Sequence, residues 1–267
     1  MWPVFTQALR RRRTSLAWWA LGIAAMAALL AVAYPTVRDN TELDTTFANL
    51  PPGVEALLGL SGGNLLSSPA GYLNSQFVAN ILPVMLLVLA IGTGAATIAG
   101  DEAAGTLELL LANPISRVRV ALARLVALAV MLAALAVVCT VVLVVLAPST
   151  GLNHGLSVGH LTAAIVAATL TAFTFGGVAF AVGATTGRRG LAVAVAAGLA
   201  VAGYVLHGLA AQVAAVHPTE TVNPWHWLLS GDPLRNGLTW HIWLLPLATV
   251  IMLGAVSLPC LARRDLR

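Results

Sequence analysis

Six stretches of this chain are apolar for longer than a soluble core requires: 15–34, 76–99, 120–147, 160–184, 191–215 and 240–262. About 18–20 consecutive apolar residues are what a helix needs to cross a hydrocarbon core. In lipid an open chain satisfies its backbone polar groups only as helix. The runs therefore predict an all-α, polytopic membrane protein with six transmembrane helices in a single domain spanning 1–267. Composition agrees, since 59% of residues are hydrophobic and 9% charged, against about 25% charged in soluble domains. A soluble helical protein with an apolar core fails on segment length alone. The third run exceeds what a span requires, so it either tilts or stands its first turns, around Arg124, among the headgroups.

The arginines orient the spans. All 14 basic residues are arginine. On one side of the six-span arrangement fall Arg10–Arg13, Arg117, Arg119, Arg124, Arg188, Arg189, Arg263, Arg264 and Arg267, leaving Arg38 and Arg235 on the other. The positive-inside rule puts the rich side, and both termini, in the cytoplasm of a cell-membrane protein. The basic cluster at Arg10–Arg13, the apolar run after it and Ala31-Val32-Ala33 match a signal peptide in outline, but the run is long for one and reads as a retained anchor. Ahead of it, the lead-in 1–14 carries Trp2, Val4, Phe5 and Leu9, and reads as a short amphipathic helix on the inner leaflet or as a frayed end.

Two outside loops are substantial, 35–75 and 216–239. The first holds Asp39, Glu42, Asp44 and Glu55, with a short surface helix expected over 54–60. The second is rich in proline, tryptophan and histidine.

Nucleotide chemistry is constrained by a missing residue. A P-loop needs its lysine to reach the β- and γ-phosphates, and these 267 residues contain no lysine. No Ser/His/Asp or paired-carboxylate arrangement suggests catalysis within the membrane. Neither Cys139 nor Cys260 has the spacing of a zinc ligand, and both lie in apolar runs where a structural disulfide is not expected. Topology accounts for the arginines, so nucleic-acid binding has no support.

The inside loop between the second and third spans, 100–117, is the most specific segment. It reads Gly100-Asp101-Glu102-Ala103-Ala104-Gly105-Thr106-Leu107-Glu108-Leu109-Leu110-Leu111-Ala112-Asn113-Pro114-Ile115-Ser116-Arg117. Asp101 and Glu102 suit a helix N-terminus. Leu107, Leu110 and Leu111 share one face with Glu108 off it, and Asn113-Pro114 ends the helix. The reading is a short amphipathic helix lying at the membrane surface.

This stretch resembles the signature of the ABC-2 family of ATP-binding-cassette transporter permeases: an acidic residue, Gly-Thr, a leucine-rich run and Pro-[Ile/Val]-Ser-Arg. Glu102, Gly105, Thr106, Glu108, Leu109, Leu110, Leu111, Pro114, Ile115, Ser116 and Arg117 match it. The six-span layout, the basic lead-in and a re-entrant-looking stretch before the last span extend the resemblance along the chain. Arg124 stands where a lysine is common in the family. The resemblance implies an ABC-2 (type V exporter-like) permease fold. It also implies that Glu102, Gly105, Thr106, Leu107, Glu108, Leu110, Leu111, Pro114 and Arg117 form an ATPase-coupling helix. By the same resemblance the chain would pair with a second permease subunit, as homodimer or heterodimer. It would be served by separate ABC ATPase subunits that carry the ATP and magnesium, with no cofactor on this chain.

Ionisable groups inside membranes mark ion and proton paths. Here Arg124 sits near an inside end, where it can snorkel to the headgroups, and His207 reads as a neutral packing residue of the fifth span. That paucity weighs against ion-coupled transport. His226 and His241 stand near Trp225, Trp227, Trp240 and Trp243, which read as an aromatic belt, without metal-ligand spacing. Gly176-Gly177, Gly183 and Gly187 point to close helix approach, within the chain or at a dimer interface. The functional expectation is an ATP-driven exporter of amphiphilic substrates such as antibiotics or lipids. Two other readings remain. One is a permease for ions or a polysaccharide or lipid precursor, and the other a membrane anchor or sensor that recruits a signalling protein.

Overall fold

The structure, a computed structural model, describes residues 2–38, 50–58, 66–97 and 116–263. Among these there is no strand. In chain order the helices are α1 (Trp2–Arg38), α2 (Pro52–Leu58), α3 (Pro69–Leu73), α4 (Ile81–Ala96), α5 (Arg117–Thr150), α6 (Val158–Thr186), α7 (Arg189–Ala210), α8 (Pro224–Leu229), α9 (Pro233–Asn236) and α10 (Trp240–Arg263). A π-helical turn, Asn74–Val78, joins α3 to α4, and a 3-10 segment, Ala214–Val222, follows α7. Among the described residues six helices are long and apolar enough to cross a membrane: α1, α3 with α4, α5, α6, α7 and α10.

Local chemistry sets several boundaries. Ser116 and Ser157 cap α5 and α6, their Oγ atoms accepting from the backbone N–H of Arg119 at 3.4 Å and His160 at 3.1 Å. Such caps satisfy one of the orphan donors of a first turn. Both helices end on a glycine in the left-handed region, Gly151 at φ 80° and Gly187 at φ 68°, where a Cβ would be strained. Gly151 is also covered. A Cβ there would come 2.6 Å from Nη1 of Arg38, so the far end of α1 rests on the α5–α6 turn.

α6 is the hub. It packs against α4, α10, α7, α5 and α9, whereas α1 lies chiefly along α5. Of its central apolar window 72% is buried, against 17% for α1. Small residues make the approach feasible, because Ala164, Ala168 and Ala172 recur every fourth position with 0% exposure and continue into Gly176. A Cβ on Gly176 would meet Ala90 of α4 at 3.1 Å, and one on Gly177 would meet Val250 of α10 at 3.0 Å. These glycines are therefore spent on packing within the chain. Around this hub Leu82, Leu86, Leu128, Leu132 and Ile165 fill the core. The outward faces are equally apolar, with Trp18, Val145, Val201 and Ile251 all largely exposed. That surface fits lipid and not water.

Three expectations need correction. The lead-in 1–14 is not a separate helix: α1 runs unbroken from Trp2 for 37 residues, since nothing between Leu9 and Leu16 interrupts helical backbone. The fifth span stops at Ala210 and not at 215; the chain turns at 211–213 and continues as the 3-10 segment. Gln212 there folds over Gly53, at 2.3 Å from where a Cβ would stand. The surface helix expected over 54–60 begins earlier, at Pro52, and is described to Leu58.

Candidate functional site

Most of the predicted coupling segment, including Glu102, Gly105, Thr106, Leu107, Glu108, Leu110, Leu111 and Pro114, lies outside the described residues. Arg117 is the first residue of α5. The two ends of the segment are on view: Thr97 caps α4, and Ser116 caps α5.

The end of α4 is held from both sides. Arg12 of α1 donates from Nη1 to Oγ1 of Thr93 at 3.0 Å. Arg124 of α5 donates from Nη1 to the backbone carbonyl of Thr97. Carbonyls in the last turn of a helix lack intrahelical donors and carry the negative end of the dipole. Two guanidinium groups therefore meet the point at which the chain leaves α4. Arg124 is not a freely snorkelling side chain, as its sequence position suggested; it is bonded to the backbone of a neighbouring span. Phe5 packs against Val120 and Ala123 at this same end, so α1, α4 and α5 converge where the segment departs and returns. Ala121, Phe180, Ala184 and Leu261 form a small apolar cluster that adds α6 and α10.

The opposite end carries a second polar assembly. Tyr204 of α7 donates its hydroxyl to Oδ1 of Asn80 at 2.7 Å, with the carbonyl of Leu57 also 3.2 Å away. Asn80 in turn donates from Nδ2 to the carbonyl of Ser75 at 3.0 Å. Asn223, buried, donates from Nδ2 to the carbonyl of Gly203 at 2.7 Å and accepts from the N–H of Trp225 at 3.1 Å. Trp225 donates from its indole to the carbonyl of Ala200 at 2.8 Å, and its ring meets Tyr204 edge-on at 5.0 Å. The re-entrant-looking stretch is thus docked on α7 by its own polar groups, with Trp225, Leu228 and Leu234 buried behind them.

This docking brings together His207, Glu220 and His226, which sequence reasoning did not connect. One ligand atom from each lies within 4.8 Å of the others. Nδ1 of His226 is 3.3 Å from Oε1 of Glu220, and the two imidazole rings meet edge-on at 5.5 Å. The Nδ1 atoms of His207 and His226 are buried and make no hydrogen bond. His241, the partner expected for His226, is engaged elsewhere: its Nε2 lies 3.1 Å from Oγ1 of Thr239 and its ring meets Trp240 edge-on. The sequence signal was weak because the three residues sit 13 and 6 positions apart across a 3-10 segment, whose path no periodicity announces.

Compared with known proteins, residues 2–255 match a family model described as "ABC-2 family transporter protein". No curated protein matches the chain.

Proposed function

The chain belongs to the ABC-2 family of transporter proteins, and from that premise we propose that it is the permease subunit of an ATP-driven exporter working with a separate ATPase subunit. The observation that carries the reading is the family match itself, because it runs continuously from 2 to 255 and so takes in the segment between Thr97 and Ser116. In this reading the segment is the coupling helix, the arginine-rich end faces the cytoplasm, and both termini lie there. Leu107, Leu110 and Leu111 fill a groove on the ATPase, and Glu108 makes a polar contact beside them. The grip of Arg12 and Arg124 on α4 supports the mechanical side. A push on the segment is delivered to α4 and α5 at fixed points and passes to α6, against which both pack. ATP-driven closure of an ATPase pair would then move two such permeases between inward- and outward-facing states as rigid bodies. The ATP and magnesium sit on the partner, consistent with a sequence that has no lysine for a P-loop. Apolar helix faces favour amphiphilic cargo such as lipids or antibiotics.

Co-purification tests the reading. Truncating a buried apolar anchor costs about 2 kcal/mol, roughly thirtyfold in affinity. Leu110→Ala and Leu111→Ala should therefore shed the ATPase and abolish ATP-dependent transport in vesicles while membrane insertion stays normal. Glu108→Arg should do the same by setting the wrong charge at the contact. Retention of partner and transport by all three variants overturns the assignment.

A further inference from the structure

We propose that His207, Glu220 and His226 form a binding site for a divalent transition-metal ion of the zinc class, at the end of the bundle opposite the arginine-rich one. The ligand types are those of zinc chemistry, two imidazole nitrogens and one carboxylate oxygen, leaving a fourth position for water. Ligand atoms about 2.0–2.2 Å from a tetrahedral ion stand roughly 3.3–3.6 Å from one another. The His226–Glu220 separation is 3.3 Å, and all three ligand atoms fall within 4.8 Å. Closing the set from 4.8 Å to that separation takes a movement of about an ångström.

A second observation points to a ligand. His207 is 6% exposed, and its Nδ1 is buried without a hydrogen-bond partner, while Nδ1 of His226 faces Oε1 of Glu220 at 3.3 Å. Buried polar atoms are nearly always satisfied, and an exception calls for an ion, a water or a functional cause. A cation bound by two neutral imidazoles and a carboxylate meets that need.

The geometry is also held from outside the cluster. Asn223 and Trp225 tie α8 to the carbonyls of Gly203 and Ala200, which places His226 beside His207, one turn further along α7. Glu220 is fixed through its own backbone and that of the next residue. Its carbonyl accepts from the N–H of Asn223 at 3.2 Å, and the indole of Trp227 donates to the carbonyl of Thr221 at 3.0 Å. Sites whose ligands rest on cross-tied elements keep their geometry. His217 is near, its Nδ1 3.7 Å from Oε2 of Glu220, but it lies outside the converging set and is largely exposed. An ion held here staples the 3-10 segment and α8 to the end of α7. The inference does not depend on the exporter reading.

Zinc binding to the full chain, purified without a histidine tag and held in nanodiscs, tests it by competition against a chromophoric chelator. One zinc ion per chain is expected, with magnesium and calcium failing to compete. His226→Ala and the near-isosteric Glu220→Gln should each weaken binding about a hundredfold, at or beyond the upper range for loss of a supporting outer-shell group. His217→Ala should stay within about threefold of wild type. Gel filtration establishes that each variant remains folded. Absence of zinc binding by wild type overturns the site. So does zinc held equally well by His226→Ala and Glu220→Gln, which marks adventitious binding to the other histidines.

Discussion

Gly94 of α4 and Gly176 of α6 meet backbone to backbone: a Cβ on Gly94 would stand 2.2 Å from the carbonyl oxygen of Gly176. No side-chain rotation relieves a clash with backbone, so a substitution must push two core helices apart. Gly94→Ala is expected to destabilise the protein by about 1–3 kcal/mol, the range for overpacking a close-packed interior. Gly92, two residues earlier, has nothing within 4 Å of its Cβ position, so Gly92→Ala should be nearly neutral. Thermal unfolding in detergent, followed by size-exclusion chromatography, separates the two outcomes. Equal melting temperatures for both variants would contradict the close contact.

The arginine contacts at the end of α4 predict a split between assembly and coupling. Arg124→Gln removes the cation at the carbonyl of Thr97, and Thr93→Val removes the hydroxyl that accepts from Arg12. Hydrogen bonds to charged groups are worth about 1.5–3 kcal/mol, too little to prevent insertion of six apolar spans. Both variants should reach the membrane in normal amount and bind the ATPase. Transport per ATP hydrolysed should fall, and fall further in the double variant. Unchanged transport stoichiometry in the double variant would show that the grip on α4 has no part in coupling.

Tyr204 and Asn80 link α7 to the start of α4 through one hydroxyl. Tyr204→Phe leaves Oδ1 of half-buried Asn80 without that donor, which costs about 1 kcal/mol, the low end of the range for an unsatisfied acceptor. The ring contact with Trp225 survives the change. A lowered melting temperature with unaltered tryptophan fluorescence is therefore expected. A loss of both would mean that the ring, and not the hydroxyl, holds the contact.

Topology is open to a direct labelling test. A cysteine at His217, whose side chain is 59% exposed, should react with a membrane-impermeant thiol reagent in intact cells. A cysteine at the exposed Arg188 should react only after the membrane is opened. Cys260 is exposed and must first be replaced. Labelling of Arg188→Cys from outside would invert the proposed orientation.

The spans were legible because their determinants are local. Length and continuous hydropathy suffice to call a membrane helix. Where the expectations missed, the determinant lay elsewhere. Ala211–Ala215 is apolar enough to prolong α7, yet the helix ends at Ala210, with Gln212 folded over the backbone of α2. The arginines at 10–13 suggested a boundary between lead-in and span, but charge does not break a helix, and no proline lies between Pro3 in its first turn and Pro35 in its last. Arg124 looked free to snorkel because the carbonyl it binds lies 27 residues earlier on another span. His207 looked like a packing residue because the groups facing it arrive through a 3-10 segment and a buried short helix. The coupling segment carries the most specific sequence pattern of all, and it falls largely outside the described residues.

α1 joins these two worlds mechanically. At 1.5 Å per residue its 37 residues make a rod about 55 Å long, well beyond the roughly 30 Å of hydrocarbon it has to cross. Pro35 lies in its last turn, too late to act as a hinge for the body of the rod. A lean of about 5° pivoting at Arg12 therefore displaces Arg38, about 39 Å along the rod, by roughly 3 Å, and Arg38 covers the glycine turn between α5 and α6. Whatever tilts the basic end of this helix works a lever whose far tip rests on the joint of two other spans.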